Sequence, residues 1–516
     1  MIRAYDPSAI DRKFPCPEES ADVLVIGAGP AGMGAAIEAA RCGRKVTVVD
    51  ENPLDPRLFG LDVPLYFGAR MTGAVRNPGR ILEQIVASNP DLDTALEHGV
   101  NMRFGVTAWG LFTNGPALRA LPGSMVGLAD AERSWMCGFD KLILATGARD
   151  IAFGFPGWNQ PGIMGANGLH CLVERYGAFS GRRIVILGTG NLAIQTALMA
   201  LRHGLEIVAL VEVCSAPQAC SGTLQQLTAA GVRILQRHVP SRALGGTDGV
   251  EQLIVRDPSG RESVLDCDTV CMAVGLAPAV ELLHAAGGAI VPDSHRGGHV
   301  PALRGWQTSL ESVVSAGDCA GCMVDTMTAP QQGRYAVRQS IGADFSAPEF
   351  SSIDNWWYQK RWYEALTENV DPTLVVCQCE GVSRGDILAV RAPEYVGGPR
   401  ERSSGRNLKS LIDDGPLDQN EIKRLTRACM GVCQARRCRE QVAFMLAQAS
   451  SVEPAAVPLA GYRAPVRPLP LGVLADWNEN AAMTADWEGW FRIRGQWAAY
   501  EDIGTEREFS GDFVGG

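Results

Sequence analysis

Apolar and polar positions along the chain fall into a unit that occurs twice. Residues 22–26 (DVLVI) form a continuous apolar run, the pattern of a parallel strand covered on both faces. Gly27-Ala28-Gly29-Pro30-Ala31-Gly32 follows at once, and a helical pattern runs from Met33 to about Cys42. A second run, 45–49 (KVTVV), ends at Asp50 and Glu51. The same order returns at 184–187 (IVIL), then Gly188-Thr189-Gly190-Asn191-Leu192-Ala193, a helical pattern to about His203, and the run 207–211 (IVALV) ending at Glu212. Further strands are predicted at 141–147 (KLILATG), 269–274 (TVCMAV) and 313–318 (VVSAGD). The second copy lies between Thr146-Gly147 and Gly317-Asp318, so one α/β domain is built from two separated segments with another inserted between them.

Glycines in this spacing, between a strand and a helix, point to dinucleotide binding. Gly27 permits the tight turn, Gly29 lets the backbone approach a pyrophosphate, and Gly32 lets helix and strand pack closely. Pro30 and Ala31 open the helix whose N-terminal N–H groups face phosphates. Asp50, 23 residues after Gly27, stands where a carboxylate holds ribose hydroxyls, with Glu51 beside it. Thr146-Gly147 and Gly317-Asp318 at later strand ends point to FAD. Asp318 is placed to reach a ribityl chain or pyrophosphate, although a turn-capping Asp gives the same pattern. In the second unit Gly188, Gly190, Asn191 and Glu212 outline a pocket for NAD or another adenine nucleotide, or the empty relic of one; both readings stand open. No Arg directly follows Glu212, which suits a 2′-hydroxyl better than a 2′-phosphate.

With GAGPAG, ATG, GTGNLA and AGD in this nested order, residues 20–345 resemble the flavoproteins with two dinucleotide-binding domains. These include the glutathione-reductase-like enzymes and the α subunits of bacterial amine dehydrogenases. The resemblance implies an α/β fold of two nested Rossmann-like domains, with a small helical C-terminal domain after them.

Past Asp344 the composition changes. Residues 354–363 (DNWWYQKRWY) are aromatic and charged and read as a linker or docking segment. Five of the 15 cysteines then fall within 62 residues: Cys377, Cys379, Cys429, Cys433 and Cys438. Paired short spacings suit a four-thiolate cluster, because one loop presents two sulfurs to one metal. The C-x-C pair Cys377 and Cys379 and the C-x4-C pair Cys433 and Cys438 are the favoured ligands. Zinc and unrelated buried thiols are the competing readings. A helix is predicted to begin near Ala435, with Cys429 set apart beyond Gly431, and Arg427, Arg436, Arg437 and Arg439 are placed to offset negative charge. The pattern CQCE…TRACMGVCQARRC resembles the bacterioferritin-associated-ferredoxin-like 2Fe-2S domain, in the version fused to α subunits of opine oxidases, hydrogen cyanide synthases and hydroxyproline dehydrogenases. The usual form reads T-R-x-G-M-G-x-C-Q-G-R-x-C. Carried over, Cys433 and Cys438 are ligands, and Cys429 and Ala435 each stand where a Gly is usual. An insert near Arg391–Gly415 lengthens the gap, and no Gly-Gly-Gln triplet follows Glu51.

These readings divide the chain into an N-terminal arm (1–20), an FAD-binding domain (21–150 and 291–345), an inserted nucleotide-binding domain (151–290), a linker (346–370), a 2Fe-2S domain (371–448) and a docking tail (449–516). A net charge of −10 argues against nucleic acid as a partner. No span of about 20 apolar residues lacks breakers, no secretory leader is read at the N-terminus, and the odd cysteine count fits a reducing, cytoplasmic setting, with membrane association only through partners. The seven histidines form no metal spacing. Cys319 and Cys322 form a C-x-x-C beside Asp318, away from the dithiol positions usual in flavin disulfide reductases. Trp477, Trp487, Trp490 and Trp497 read as core or interface anchors.

No residue stands out as a substrate-side acid, base or nucleophile, so no catalytic residue is named. The resemblance implies an electron-transferring subunit of a heteromeric amine or imino-acid dehydrogenase. Its partners would be a D-amino-acid-oxidase-like flavoprotein β subunit, a small third subunit in some relatives, and a quinone or carrier as electron acceptor; FMN at the subunit interface is left open. Two alternatives remain: a self-contained NAD(P)H-dependent flavin reductase with a fused ferredoxin domain, and a non-catalytic docking flavoprotein.

Overall fold

The computed structural model describes residues 16–53, 77–114, 121–219, 221–321, 328–348, 354–368, 371–396 and 405–475. The apolar runs become strands because each is covered on both faces; Val23, Leu24 and Val25 are at most 1% exposed. Five parallel strands run in the order Asn101–Phe104, Val46–Asp50, Glu19–Ile26, Ser134–Leu144, Val313–Ser315. Ser134–Leu144 is longer than its apolar run predicts. One edge carries Glu19–Ile26 along its length. The other is shared: its first half pairs antiparallel with Met125–Ala129, which pairs with Thr107–Phe112, and its end pairs with Val313–Ser315.

A second parallel sheet lies between these segments, in the order Ile234–Gln236, Glu206–Glu212, Arg183–Leu187, Thr269–Met272, Ile163–Gly165. It is accompanied by an antiparallel meander of Val239–Gly246, Gly249–Arg256 and Glu262–Asp266. The α/β class and the twofold use of one unit are therefore as the pattern predicts. The two halves are stitched by the antiparallel pair Ala148–Asp150 with Leu276–Pro278. Helix Pro30–Arg41 crosses helix Ala329–Ser340 at backbone contact: a Cβ on Gly34 would overlap the Pro330 carbonyl, and one on Gly333 the Ala31 carbonyl.

The C-terminal third corrects several expectations. Within the segment read as a linker, Asn355–Thr367 is a 13-residue helix, capped by the Asp354 side chain on the Trp357 N–H, with Tyr358, Gln359, Trp362, Tyr363 and Leu366 buried. Its spacing of large aromatics is a packing face within the chain, which composition alone read as a linker or docking segment. Cysteine-bearing loops follow, with the helices Leu408–Asp414, Gln419–Thr426 and Arg439–Ser450. The last begins at Arg439 and not near Ala435, because Gln434 and Ala435 are both left-handed, with φ of +47° and +67°. The start of the segment read as a docking tail returns to the body: Tyr462 and Val466 are buried, and the Val466 N–H donates to the Trp109 carbonyl at 2.8 Å. Most of the N-terminal arm, residues 54–71, part of the 391–415 insert, Cys322 and the four tail tryptophans lie outside the described residues. Among the described residues, no helix is long and apolar enough to cross a membrane.

Candidate functional site: a dinucleotide cleft beside a cysteine cluster

A cavity of about 1490 Å³ collects most of the predicted binding residues. Gly27, Gly29, Pro30, Asp50, Glu51, Thr146, Gly147 and Asp318 line it, with Gly190 and Asn191 from the second unit. Ala31, Gly32, Gly188, Glu212 and Gly317 do not reach its wall. Gly27 sits at φ +103°, and a Cβ on Gly32 would overlap the Gly27 carbonyl. Both positions are closed to larger residues by the turn itself. Gly29 differs: a Cβ there would meet no protein atom within 4 Å. Its freedom faces the cleft, which is the cradle a pyrophosphate needs. The Ala28 N–H donates to Asp50 Oδ2 at 2.6 Å, and the Asn52 backbone and side-chain N–H groups to Oδ1, both at 2.9 Å. Asp50 is thus oriented at the rim and half-buried. Glu51 is gripped by Arg467 at 2.5 Å, a contact between residues far apart in sequence. Asp318 lies against the cleft with its carboxyl raised to about 6 by burial.

The second unit is arranged otherwise. Glu212 is fully buried. It accepts hydrogen bonds from the Thr189 hydroxyl, from the Cys214 N–H at 2.8 Å, and from the Tyr358 hydroxyl at 2.7 Å. The Tyr358 oxygen in turn accepts the Thr189 N–H at 3.0 Å.

The cysteines converge. Sγ–Sγ distances are 3.8 Å for Cys377–Cys379, 3.6 Å for Cys379–Cys433 and 3.6 Å for Cys429–Cys438. Two thiolates on one tetrahedral metal with bonds of about 2.3 Å lie about 3.8 Å apart, so each contact fits a metal-sharing pair. Cys379 touches both Cys377 and Cys433, and Cys438 touches Cys429, so the five sulfurs gather as a chain of three and a pair. Cys429, expected to stand apart, is folded back beside Cys438. It does so through a left-handed backbone at Arg427 (φ +65°) and Cys429 (φ +69°). Cys429 and Ala435 are the two positions where the resembling sequences carry Gly, and both adopt the conformation Gly favours. Each non-Gly residue there costs about 1–2 kcal/mol. The four arginines have specific partners: Arg427 pairs with Glu380 at 2.5 Å, Arg436 donates to the Val466 carbonyl, Arg437 to Gln378 Oε1 at 3.1 Å, and Arg439 lies 4.5 Å from the Tyr462 ring centroid.

Cleft and cluster share a wall. Arg436, between Cys433 and Cys438, lines the cavity. Arg149, three residues after Thr146, donates to the Arg436 carbonyl at 2.8 Å, to both Glu440 oxygens at 2.7 and 2.6 Å, and to Glu281 at 3.0 Å. Burial pushes the Glu440 carboxyl up, and Arg149 more than reverses this, holding it at about 2. Neither Arg149 nor Tyr358 carries a local motif. Arg149 had one weak signal, a charge placed directly after a flavin-type strand end.

The sequence pattern of the pyridine nucleotide-disulphide oxidoreductases matches residues 21–340, more than half of the chain. The chain belongs to this family. Membership makes it an oxidoreductase by family and implies FAD in the cleft, where the open face of Gly29 and the oriented Asp50 fit the group. The A subunit of opine oxidase from Agrobacterium tumefaciens (strain Ach5) is 27% identical over 491 residues, covering 88% of this chain and 91% of that protein. The HcnB subunit of hydrogen cyanide synthase from Pseudomonas protegens is 23% identical over 461 residues, covering 84% and 93%. The structure of L-proline dehydrogenase from P. horikoshii matches with a TM-score of 0.56 at 19% identity, over 88% of this chain and 79% of that one, a likeness of fold. For a pyridine nucleotide-disulphide oxidoreductase, the cleft is sparing of thiols: among the described residues only Cys171 reaches its wall. Cys319 is buried with its Sγ 2.9 Å from the Leu144 carbonyl.

Two predictions follow from the cleft. Gly29→Val places carbon in the pyrophosphate cradle without touching protein, so the variant should keep its Tm in flavin-free form yet purify with little FAD. Full FAD content would refute the cradle. Asp318 has a folded-state pKa of about 6 against an ordinary 3.8. The cost of burying its charge therefore grows from about pH 4 and is complete above about pH 6. Asp318→Asn should raise the Tm of flavin-free protein more at pH 7 than at pH 4; equal gains at both would count against it.

Proposed function

We propose that this chain is the electron-transferring subunit of a heteromeric dehydrogenase or oxidase acting on a C–N bond, with FAD in the cleft and a 2Fe-2S cluster at the cysteines. The observation that carries this reading is the shared wall, where Arg436, between Cys433 and Cys438 in the chain, lines the cleft. The names of the relatives support it, since the opine oxidase protein and HcnB are each named as a subunit. A flavin exchanges electrons singly or in pairs and an iron–sulfur cluster singly, so the two groups together would convert a two-electron oxidation into one-electron steps.

The chain's own residues would do the holding. Gly29 and the start of helix Pro30–Arg41 would receive the pyrophosphate, and Asp50 the ribose. Cys377, Cys379, Cys433 and Cys438 would ligate the cluster. Arg149 fixes the spacing between the two sites, because its guanidinium clamps Arg436 and Glu440 on either side of Cys438. A D-amino-acid-oxidase-like partner would hold the amine or imino acid, and a quinone or carrier would take the electrons. FMN at the subunit interface and a small third subunit belong to the same proposal.

The test is co-purification with the natural partner, followed by measurement of FAD, FMN, iron and sulfide. Adding an opine, glycine or proline to that complex should bleach the flavin and produce the low-temperature EPR signal of a reduced cluster, whereas the isolated chain should oxidise none of them. Amine turnover by the isolated chain would overturn the reading.

The ligand set is tested separately. Cys→Ser at 377, 379, 433 or 438 should remove most of the iron and the EPR signal; Cys429 lies beside Cys438, but four thiolates complete a 2Fe-2S cluster, so Cys429→Ser should keep them, with FAD retained in all five. A cluster lost in Cys429→Ser but kept in Cys438→Ser would exchange those two roles, and stoichiometric zinc in place of iron would defeat the cluster.

A further inference from the structure

The two glycine-turn units invite a residue-by-residue comparison. In the first, the acidic residue Asp50 accepts from the N–H of Ala28, the middle residue of its Gly-x-Gly turn, and still lines the open cleft. In the second, Glu212 accepts instead from the hydroxyl of Thr189, the equivalent middle residue, and from the Tyr358 hydroxyl, and is shut away from the cleft. One oxygen atom, that of Tyr358, donates to Glu212 and accepts from the Thr189 N–H. A ribose hydroxyl of a dinucleotide bonds to the acid in this way. The ring lies over the turn as well. A Cβ on Gly188 would be 3.3 Å from the Tyr358 oxygen, and one on Gly190 would be 3.8 Å from its ring. The next residue, Gln359, packs against Gly275 of the same fold. It is 1% exposed, and a Cβ on Gly275, beyond the strand Thr269–Met272, would be 2.7 Å from its amide nitrogen.

We infer that Tyr358 is a built-in ligand of the second nucleotide fold and determines its specificity, by holding Glu212 in place of a ribose and so competing with nicotinamide dinucleotides at a turn whose Gly190 and Asn191 still border the cavity. The helix carrying it is not loosely held. Trp362 is fully buried, so its large apolar ring anchors the helix. The Asn355 side chain donates to the Ser294 carbonyl at 3.3 Å. An internal ligand at high effective concentration lowers the fraction of molecules able to bind, and apparent affinity falls by that fraction. Electrons from NAD(P)H then have no docking place here, whatever the donor on the other side of the cleft. This conclusion does not depend on the cluster or on the partner.

The experiment uses the full FAD-loaded chain, with NADH and NAD⁺ as probes, read by calorimetric titration and by flavin bleaching. The wild-type chain should show no saturable binding below about 1 mM and no rapid bleaching. Tyr358→Ala should tighten NADH binding at least about tenfold, and Tyr358→Phe, which keeps the ring and loses the hydroxyl, should give a smaller gain. Micromolar NADH binding by the wild-type chain overturns the inference even if the Ala variant does not fold. So does a folded Tyr358→Ala protein, with normal FAD, whose NADH affinity is unchanged. A gain with Phe alone, should Ala fail to fold, upholds it.

Discussion

Arg149 is the point on which the arrangement of the molecule turns. Its guanidinium takes Glu281 from the inserted segment and Glu440 and the Arg436 carbonyl from the cysteine-bearing region, while its own backbone continues from the Thr146-Gly147 strand end. The group is only 13% exposed, and its partners Glu281 and Glu440 are 9% and 16% exposed. Buried ions of this kind are held because their bonds are complete; removing one partner of a buried pair costs about 3–5 kcal/mol. The bidentate geometry on Glu440 adds direction to the attraction, since a planar fork meets a carboxylate in one orientation. Cleft and cysteine loops are therefore held at a fixed separation, as the proposed electron transfer would require.

The two nucleotide units show how one backbone pattern diverges through what packs on it. Their turns are alike: Gly27 and Gly188 are both left-handed, and Gly29 and Gly190 cap the following helices with nearly the same φ. The difference lies in a helix that neither unit encodes. Asn355–Thr367 brings Tyr358 onto the second turn and its acid Glu212, while Asp50 at the first turn stays on the cavity wall; both turns border the cavity. Tyr358, Trp362 and Tyr363 are all buried, so the helix is held by its own apolar packing.

The cysteine region shows strain kept in place by geometry. Arg427, Cys429, Gln434 and Ala435 all take positive φ within nine residues, in the stretch that brings Cys429 back beside Cys438. Gly431 is crowded against the Cys379 sulfur, so the loop has no room for a side chain there. Backbone strain of this sort persists where the surroundings over-determine it, and it collects at functional sites.

The sequence by itself determined the α/β class, both strand–glycine–helix units and their nesting, because hydrophobic period and glycine spacing are local properties. It also named ten residues that line the cleft, Gly27, Gly29 and Asp50 among them, since a glycine turn fixes its neighbours' positions within a few residues. The C-x-C and C-x4-C spacings located the cysteine cluster for the same reason. Tertiary structure alone decided the rest. The run 354–363 became a buried helix because the second sheet offered a groove, and no local pattern reports a distant groove. Cys429 joined Cys438 because a left-handed turn reversed the chain, a conformation its residue type does not advertise. Glu212 kept its predicted place at the strand end and lost its access, because Tyr358, 146 residues away, brings a hydroxyl to it. A residue's position in a motif is set by its neighbours in sequence, but what reaches it is set by the whole packed chain.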